Sequence, residues 1–277
     1  MNDFKFVSER YSIHNTTDYR LSIQVNPDGF SVLVTGENNT VLKIIHLQTG
    51  SIEKTKAVFR TEEDFIKLRE LSFKSSSIII NTNRVTLIPD EFRDFDNHAD
   101  FFKIEFDLPH ESSLKTVNIP ELNVSAVFEV PSNYADLISG FRNNPRVTHF
   151  AKDFLNYLKK KKSTDPQSFS IYTSPGLLHT ALTEYGGFKF YNSFACRNED
   201  ELLYHLMHVI RKLHLNSKTN FYYSGHLAKD NATWIQLMKF IPEIQLLPNE
   251  LSFELAWNIN ENYFSFLLNN TGANNQR

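Results

Sequence analysis

The feature that most constrains the fold of this chain is a pattern of strands that occurs once in each half. In the first half, residues 19–25 and 30–35 alternate apolar and polar side chains, which is typical of strands, and residues 40–47 form a third strand-like run. The first two runs are joined by Asn26-Pro27-Asp28-Gly29, where Pro presets φ and Gly accepts positive φ, so this segment predicts a hairpin turn. The pattern therefore predicts three antiparallel strands in succession.

Helices and buried strands follow in the rest of the first half. The predicted elements are a helix capped by Thr61, a strand over 77–80, a strand over 123–130 and a helix over 131–141 capped by Ser132. Residues 89–121 are polar and show no regular period. The first half thus combines three meandering strands with alternating helices and strands.

The second half repeats this order more clearly. The predicted elements are a helix over 150–162, strands over 169–173, 177–184 and 188–195, a helix that Asn198 caps, a strand over 221–224, a helix over 231–240 and a strand over 244–247. Both halves then read βββ-α-β-α-β, which predicts an α/β fold with a mixed sheet in each of two lobes, residues 1–149 and 150–277. A generic α/β fold with accidentally similar halves is the alternative.

Composition fits two lobes and excludes several classes of function. A chain of 277 residues is near the size at which single cores divide, and 41% hydrophobic residues can fill two cores. The net charge of -3 gives no basic field, so we expect no nucleic-acid partner. One cysteine excludes an intramolecular disulfide and a four-cysteine zinc site. No apolar run reaches the roughly 20 residues of a membrane helix or forms a signal peptide, so we expect a cytoplasmic protein.

Three segments carry a resemblance to a known family. They are YRLSIQVNPDGFSVLV (19–34), YTSPGLLHTALTEYGGFKFYNSF (172–194) and FYYSGHLAKD (221–230). With them the chain resembles domain of unknown function 3822, an uncharacterised bacterial family, and the doubled plan resembles the actin-like ATPase superfamily. That resemblance implies two ribonuclease-H-like lobes that face each other across a nucleotide cleft. It also implies kinship with pilus-assembly and type II secretion proteins whose cytoplasmic domains have this fold.

The first phosphate loop implied by the resemblance lacks the chemistry of an ATPase. Active members carry an Asp near the end of the first strand, and here Gln24 holds that position, or Ser22 if the register slips by two. Neither side chain supplies the negative charge that helps to hold Mg²⁺. Pro27 removes one backbone donor from the loop, and Asp28 at its tip would repel a phosphate.

The other two nucleotide-binding segments depart from the superfamily pattern in the same way. In the second phosphate loop, residues 171–176, Tyr172 stands where the second Asp is expected. The adenosine-binding strand usually ends in paired glycines, and here Gly225 is followed by His226. We therefore expect neither ATP hydrolysis nor a bound cofactor.

These departures leave two hypotheses for function. The leading one is a non-catalytic actin-fold interaction or scaffold module with a protein partner. The alternative is a protein, including an ATPase, that binds a nucleotide or small ligand in the cleft. Its candidate binding residues are Gln24, Gly29, Thr173, Ser174, Gly176 and Gly225. The sequence does not specify the partner or the oligomeric state.

Four other patterns have simpler interpretations. Glu201, His205 and His208 share a helix face but lack the spacing of a zinc protease, which favours a solvated face. The Lys159–Lys162 run is typical of a solvated helix end. Cys196 could pair with His179 or His226 as a nucleophile, but a lone cysteine is more often buried. The aromatic segment 252–268 favours core packing over a partner-binding role.

Overall fold

The first lobe is built on a six-stranded mixed sheet. The computed structural model describes residues 3–92, 98–142, 144–161, 165–225 and 232–247. The strands of this sheet are β1 (Phe4–Val7), β2 (Arg20–Asn26), β3 (Gly29–Thr35), β4 (Val41–Gln48), β5 (Ser75–Ile80) and, after the insertion described below, β9 (Arg146–His149). Their order is β1-β4-β3-β2-β5-β9, with β2, β5 and β9 parallel and the others antiparallel to their neighbours.

Two helices cover one face of this sheet, α1 (Ile52–Thr61) and α2 (Glu63–Glu70). They pack through aromatic rings, since Phe30 of β3 lies 4.6 Å from Phe59 of α1 and 5.0 Å from Phe65 of α2, between ring centroids. All three rings are buried, and aromatic contacts of this kind contribute more than their buried area alone.

A smaller three-stranded sheet is inserted between β5 and β9. It consists of β6 (Val85–Pro89), β7 (Ser113–Ile119) and β8 (Val124–Val130), in the order β6-β8-β7, with all pairs antiparallel. Helix α3 (His98–Glu105) packs on it through the buried Phe102, and α4 (Ser132–Ser139) leads back to β9. Valine and isoleucine from the other face join the core of the first lobe.

The second lobe repeats the topology of the first. After α5 (Phe150–Lys160) come β10 (Ser168–Ser174), β11 (Leu177–Glu184), β12 (Gly187–Ala195), α6 (Glu199–Lys212), β13 (Asn220–Gly225), α7 (Ala232–Phe240) and β14 (Gln245–Leu246). The sheet order β12-β11-β10-β13-β14 matches β4-β3-β2-β5-β9 of the first lobe. The central pairs β2 with β5 and β10 with β13 are both parallel. The predicted order βββ-α-β-α-β is thereby present in each lobe.

Helix α5 connects the two lobes and packs into the first core. Its Phe150 ring lies 4.3 Å from that of Tyr172 on β10, between centroids, and Phe154 is also buried there. Tyr172 therefore extends from the second sheet into the first hydrophobic cluster. A second cluster lies between the second sheet and helices α6 and α7. The boundary between residues 149 and 150 stays a prediction. Within the described residues, no helix is both long and apolar enough to cross a membrane.

Several predicted boundaries were wrong. Thr61 is the last residue of α1 rather than a cap, and its hydroxyl donates to the carbonyl of Ala57. The cap of α1 is Ser51, which accepts from the Lys54 amide at 3.3 Å. Ser132 lies inside α4 without a side-chain capping bond. Helices α1 and α3 and strands β1, β6, β7 and β9 were not predicted. Short strands paired at long range leave weak periodic signals.

Candidate functional site

The candidate site lies where β2 of the first lobe approaches β10 of the second lobe. Alternate residues of β2 are polar, and the structure buries this face as completely as the apolar one. Gln24 and Asn26 on β2 and Tyr172 on β10 are at most 1% exposed. The Gln24 Nε2 donates to Asn26 Oδ1 at 2.9 Å and to the Tyr172 hydroxyl at 3.4 Å. The two positions at which the resemblance leads us to expect Asp, Gln24 and Tyr172, are therefore hydrogen-bonded to each other.

A second hydrogen bond between the lobes comes from Asn81, which sequence reasoning missed. Asn81 directly follows β5, where its backbone N–H donates to the carbonyl of Val25 at 2.9 Å. Its Nδ2 donates to Asn26 Oδ1 at 2.8 Å and to Ser174 Oγ at 3.1 Å. The only sequence signal for the role of Asn81 was its position as a polar residue directly after the apolar strand that ends at Ile80. We call Gln24, Asn26, Asn81, Tyr172 and Ser174 the interlobe polar cluster.

The interlobe polar cluster is neutral and almost sealed from solvent. Its side chains are three amides, one phenol and one hydroxyl, and none is a carboxylate. Ser174 is the most exposed member at 4%. Gln24 Oε1 and Asn81 Oδ1 have no hydrogen-bond partner within the described residues. Buried polar atoms are normally paired, so these two oxygens leave unused acceptor capacity at the contact between the lobes.

Two buried histidines lie beside this cluster. His149 ends β9, and its Nε2 lies 3.1 Å from the carbonyl oxygen of Thr82 while its Nδ1 accepts from the Ala151 amide at 3.1 Å. That pattern requires the neutral tautomer with hydrogen on Nε2. Burial lowers the pKa of His149 to about 3.

His179 is the second of these histidines and belongs to β11. Its Nδ1 lies 2.8 Å from the hydroxyl of Tyr191, and its ring lies 4.8 Å from that of Phe150, between centroids. Burial, together with the nearby His149, holds the pKa of His179 well below its usual value. Both histidines are therefore neutral at physiological pH and serve as packed hydrogen-bonding groups.

Three of the predicted site residues line a small open cleft in the second lobe. Thr173, Ser174 and Gly176 face the first turn of α6 across a space of about 240 Å³. The cap of α6 is Asn198, as predicted, and its side chain accepts from the Glu201 amide at 2.9 Å. Cys196 lines the same cleft, but burial raises the pKa of its thiol to about 11, so it is a neutral core group.

The three predicted glycines have different structural roles. Gly225 has a φ of +113° and pairs with Thr173, and a Cβ at this position would overlap the Thr173 backbone. Gly176 adopts a φ of +76° in the turn between β10 and β11. Gly29 pairs with Asn26 across the turn between β2 and β3 and does not have positive φ. A Cβ there would overlap the carbonyl of Leu47, so Gly29 permits the close pairing of β3 with β4.

The remaining sequence patterns are structural where they are described. Glu201 Oε2 accepts from the Arg197 amide at 2.8 Å, and His205 stacks on Phe194 with centroids 4.7 Å apart. No group of three metal-binding side chains occurs in the described part of the chain. Lys161 lies over the ring of Tyr222 at 3.7 Å. His226 and the aromatic segment 252–268 lie outside the described residues.

Comparison with known proteins agrees with this topology. A family described as "Protein of unknown function (DUF3822)" matches residues 8–244. The chain belongs to the DUF3822 family. No curated protein matches this DUF3822 chain.

Solved structures show the fold of this DUF3822 protein. One, from Bacteroides thetaiotaomicron VPI-5482, is a protein with an actin-like ATPase fold and unknown function. It is 21% identical, covers 86% of this chain and 93% of its own, and has a TM-score of 0.75. Another is the PilM-PilN type IV pilus biogenesis complex, 11% identical over 90% of this chain and 96% of its own, with a TM-score of 0.55. The fold is therefore that of the actin-like ATPases, which rules out a generic α/β domain.

Proposed function

We propose that this DUF3822 protein is a non-catalytic actin-fold module that acts by binding another protein. The observation that carries the proposal is the interlobe polar cluster. Gln24 and Tyr172 occupy the two positions where the resemblance to active members calls for Asp, and each is fully buried. They bond to each other across the lobes instead of facing an open cleft.

Electrostatics argue against Mg²⁺-nucleotide binding at this contact. Mg²⁺ in nucleotide sites is usually bound through one or two carboxylates together with substrate phosphates, and the interlobe polar cluster supplies none. Phosphates would also have to displace the bonds from Gln24 to Tyr172 and from Asn81 to Ser174. Each displaced hydrogen bond costs about 0.5–1.5 kcal/mol, with a further penalty for any buried group left unpaired.

In this proposal the protein presents a binding surface that does not change with a nucleotide, and it acts in the cytoplasm. The similar PilM-PilN structure is a type IV pilus biogenesis complex, and this likeness supports the proposal of a protein partner for the DUF3822 chain. Affinity capture from the native host, with the variant Gln24→Ala of the interlobe polar cluster as a matched bait, tests this proposal. A specific partner retained by both baits is expected. Cell fractionation tests the location.

Nucleotide binding provides the decisive test of the non-catalytic proposal. We expect no change in thermal unfolding of the protein with ATP, ADP or GTP plus Mg²⁺, because only a ligand that binds the folded state raises its stability. ATP hydrolysis should equal that of a Gln24→Ala control. Hydrolysis that falls on substitution of Gln24 or Thr173 would contradict the proposal.

A second candidate function is a small-ligand site in the cleft of the second lobe. It is favoured by the open space beside Thr173, Ser174 and Gly176. The unpaired oxygens of Gln24 and Asn81 belong to the neighbouring interlobe polar cluster, which the bond from Asn81 to Ser174 joins to this space. Of the other predicted residues, Gln24, Gly29 and Gly225 are not among the residues that line it. A nucleotide that raises the melting temperature without being hydrolysed would favour this function over the first.

A further inference from the structure

An open groove lies between two helices of the second lobe, and none of the residues that line it belongs to the interlobe polar cluster. Helices α6 and α7 form its walls, and it encloses about 470 Å³. Its lining residues are Asp200, Leu203, Tyr204, Met207, His208 and Arg211 of α6 with Gln236 and Phe240 of α7. Tyr204 is 64% exposed and Phe240 57% exposed. Large aromatic side chains at this level of exposure often mark an interaction site when they share a groove.

The residues that α6 contributes form one continuous stripe. Their spacing of three and four residues places them on a single face of the helix, about 16 Å long at 1.5 Å per residue. The centre of the stripe is apolar, with Tyr204 and Met207. Its two ends carry opposite charges, Asp200 in the first turn and Arg211 in the last turn.

This stripe is complementary to itself when a second copy is turned end to end. If two α6 helices lie antiparallel with matched centres, Asp200 of each copy faces Arg211 of the other. In the same register Tyr204 faces Met207, whereas Leu203 is buried in the core of its own lobe and only supports the stripe from below. Residues that pair reciprocally in this way are the signature of an isologous, two-fold symmetric interface. The symmetry brings two opposite-charge pairs to the edges and four apolar side chains to the centre.

We propose that α6 packs antiparallel against α6 of a second copy of this chain, so that the protein is a two-fold symmetric dimer. The groove between α6 and α7 receives the Tyr204 side chain of the other copy, with Phe240 as its wall. An apolar centre with a charged rim is the usual anatomy of such contacts. The inference goes beyond the proposed function and does not depend on it, because no residue of the interlobe polar cluster takes part.

Charge reversal and rescue test this dimer. Sedimentation velocity over a range of protein concentrations measures the dimer dissociation constant of the parent protein. Asp200→Arg alone and Arg211→Asp alone each place two like-charge pairs across the symmetric contact, and we expect each to raise the dissociation constant about tenfold or more. The double variant Asp200→Arg with Arg211→Asp restores opposite charges, and we expect it to regain most of the parent affinity.

Matched controls separate the contact from effects on the helix itself. Glu199→Arg and Lys212→Asp reverse charges in the same first and last turns of α6 but lie outside the groove lining. They should leave the dissociation constant unchanged, and circular dichroism should show that all variants are folded. A parent protein that stays monomeric at every concentration overturns the proposal. The proposal is also overturned if the single charge reversals leave the dimer dissociation constant unchanged, or if the double variant does not regain the parent affinity.

Discussion

Acidification should destabilise this protein through its two buried histidines. His149 and His179 are fully buried and neutral in the folded state, whereas in the unfolded chain each titrates near its usual value of 6.5. Below that pH the unfolded state therefore binds more protons than the folded state. The free energy of unfolding must fall as the pH drops from about 6.5 toward the folded pKa of His149 near 3.

For His149 the size of this effect follows from its pKa of about 6.5 in the unfolded chain and about 3 in the folded protein. Each pH unit below the unfolded pKa removes about 1.4 kcal/mol per histidine, provided that the folded form stays neutral. At about pH 5.0 the loss is about 2 kcal/mol for His149 relative to neutral pH, and His179, whose pKa is also lowered by burial, adds a loss of the same sign. Total stabilities of single domains are about 5–15 kcal/mol, so a loss of this size is readily measured.

Urea unfolding at a series of pH values measures the prediction, with His149→Gln and His179→Gln as variants that cannot titrate. Each substitution will cost some stability, but the slope of unfolding free energy against pH is the readout. Between about pH 6 and about pH 4.5, the slope of unfolding free energy against pH should be smaller in each variant than in the parent, because the variant takes up about one proton fewer on unfolding. Parent and variants with equal slopes would refute the assignment of buried, neutral histidines. Carboxylates affect all three proteins alike and cancel in the comparison.

Three further predictions concern stability and use chemical denaturation of the parent as reference. Tyr172→Ala should lose about 3–5 kcal/mol, because it empties a fully buried aromatic site between the lobes, whereas Tyr172→Phe should lose about 1 kcal/mol. Gly225→Ala should cost more than Gly50→Ala, because both have positive φ but only at Gly225 would a Cβ overlap the Thr173 backbone. Asn198→Ala removes the cap of α6 and should cost about 1 kcal/mol.

Local patterns explain why much of the fold could be predicted. The turn at Pro27 and Asp28 and the cap at Asn198 depend on neighbouring residues, and both were placed correctly. Helix α1 was missed because its buried face holds only Ile52, Thr55 and Phe59, which is too few to stand out as a period. Strand β9 has four residues and is stabilised by pairing with β5, a contact that no local pattern encodes.

The candidate site shows the same division between local and long-range information. The resemblance to the actin-like ATPases placed Gln24, or Ser22 in a shifted register, and Tyr172 at equivalent positions of the two lobes. Their contact, and the participation of Asn81 and His149, depends on how the two sheets face each other. Alternation on β2 indicated only that Leu21, Ile23 and Val25 share a face, whereas the structure also buries Ser22, Gln24 and Asn26 of the opposite face. Burial of polar side chains is set by packing between distant segments, so a single sequence does not reveal it.

The neutrality of the interlobe polar cluster has a consequence for how the two lobes behave. Two carboxylates facing each other at this depth would repel one another, and a cation would be needed to hold both ionised. The position of the lobes would then depend on a ligand. The amide of Gln24 and the phenol of Tyr172 instead attract each other without a ligand. A ligand shifts an equilibrium between two states only if it binds one of them more tightly. The contact between Gln24 and Tyr172 forms without a ligand, so it favours a single arrangement of the lobes. That arrangement suits a protein whose surfaces bind partners constantly rather than in a nucleotide-dependent cycle.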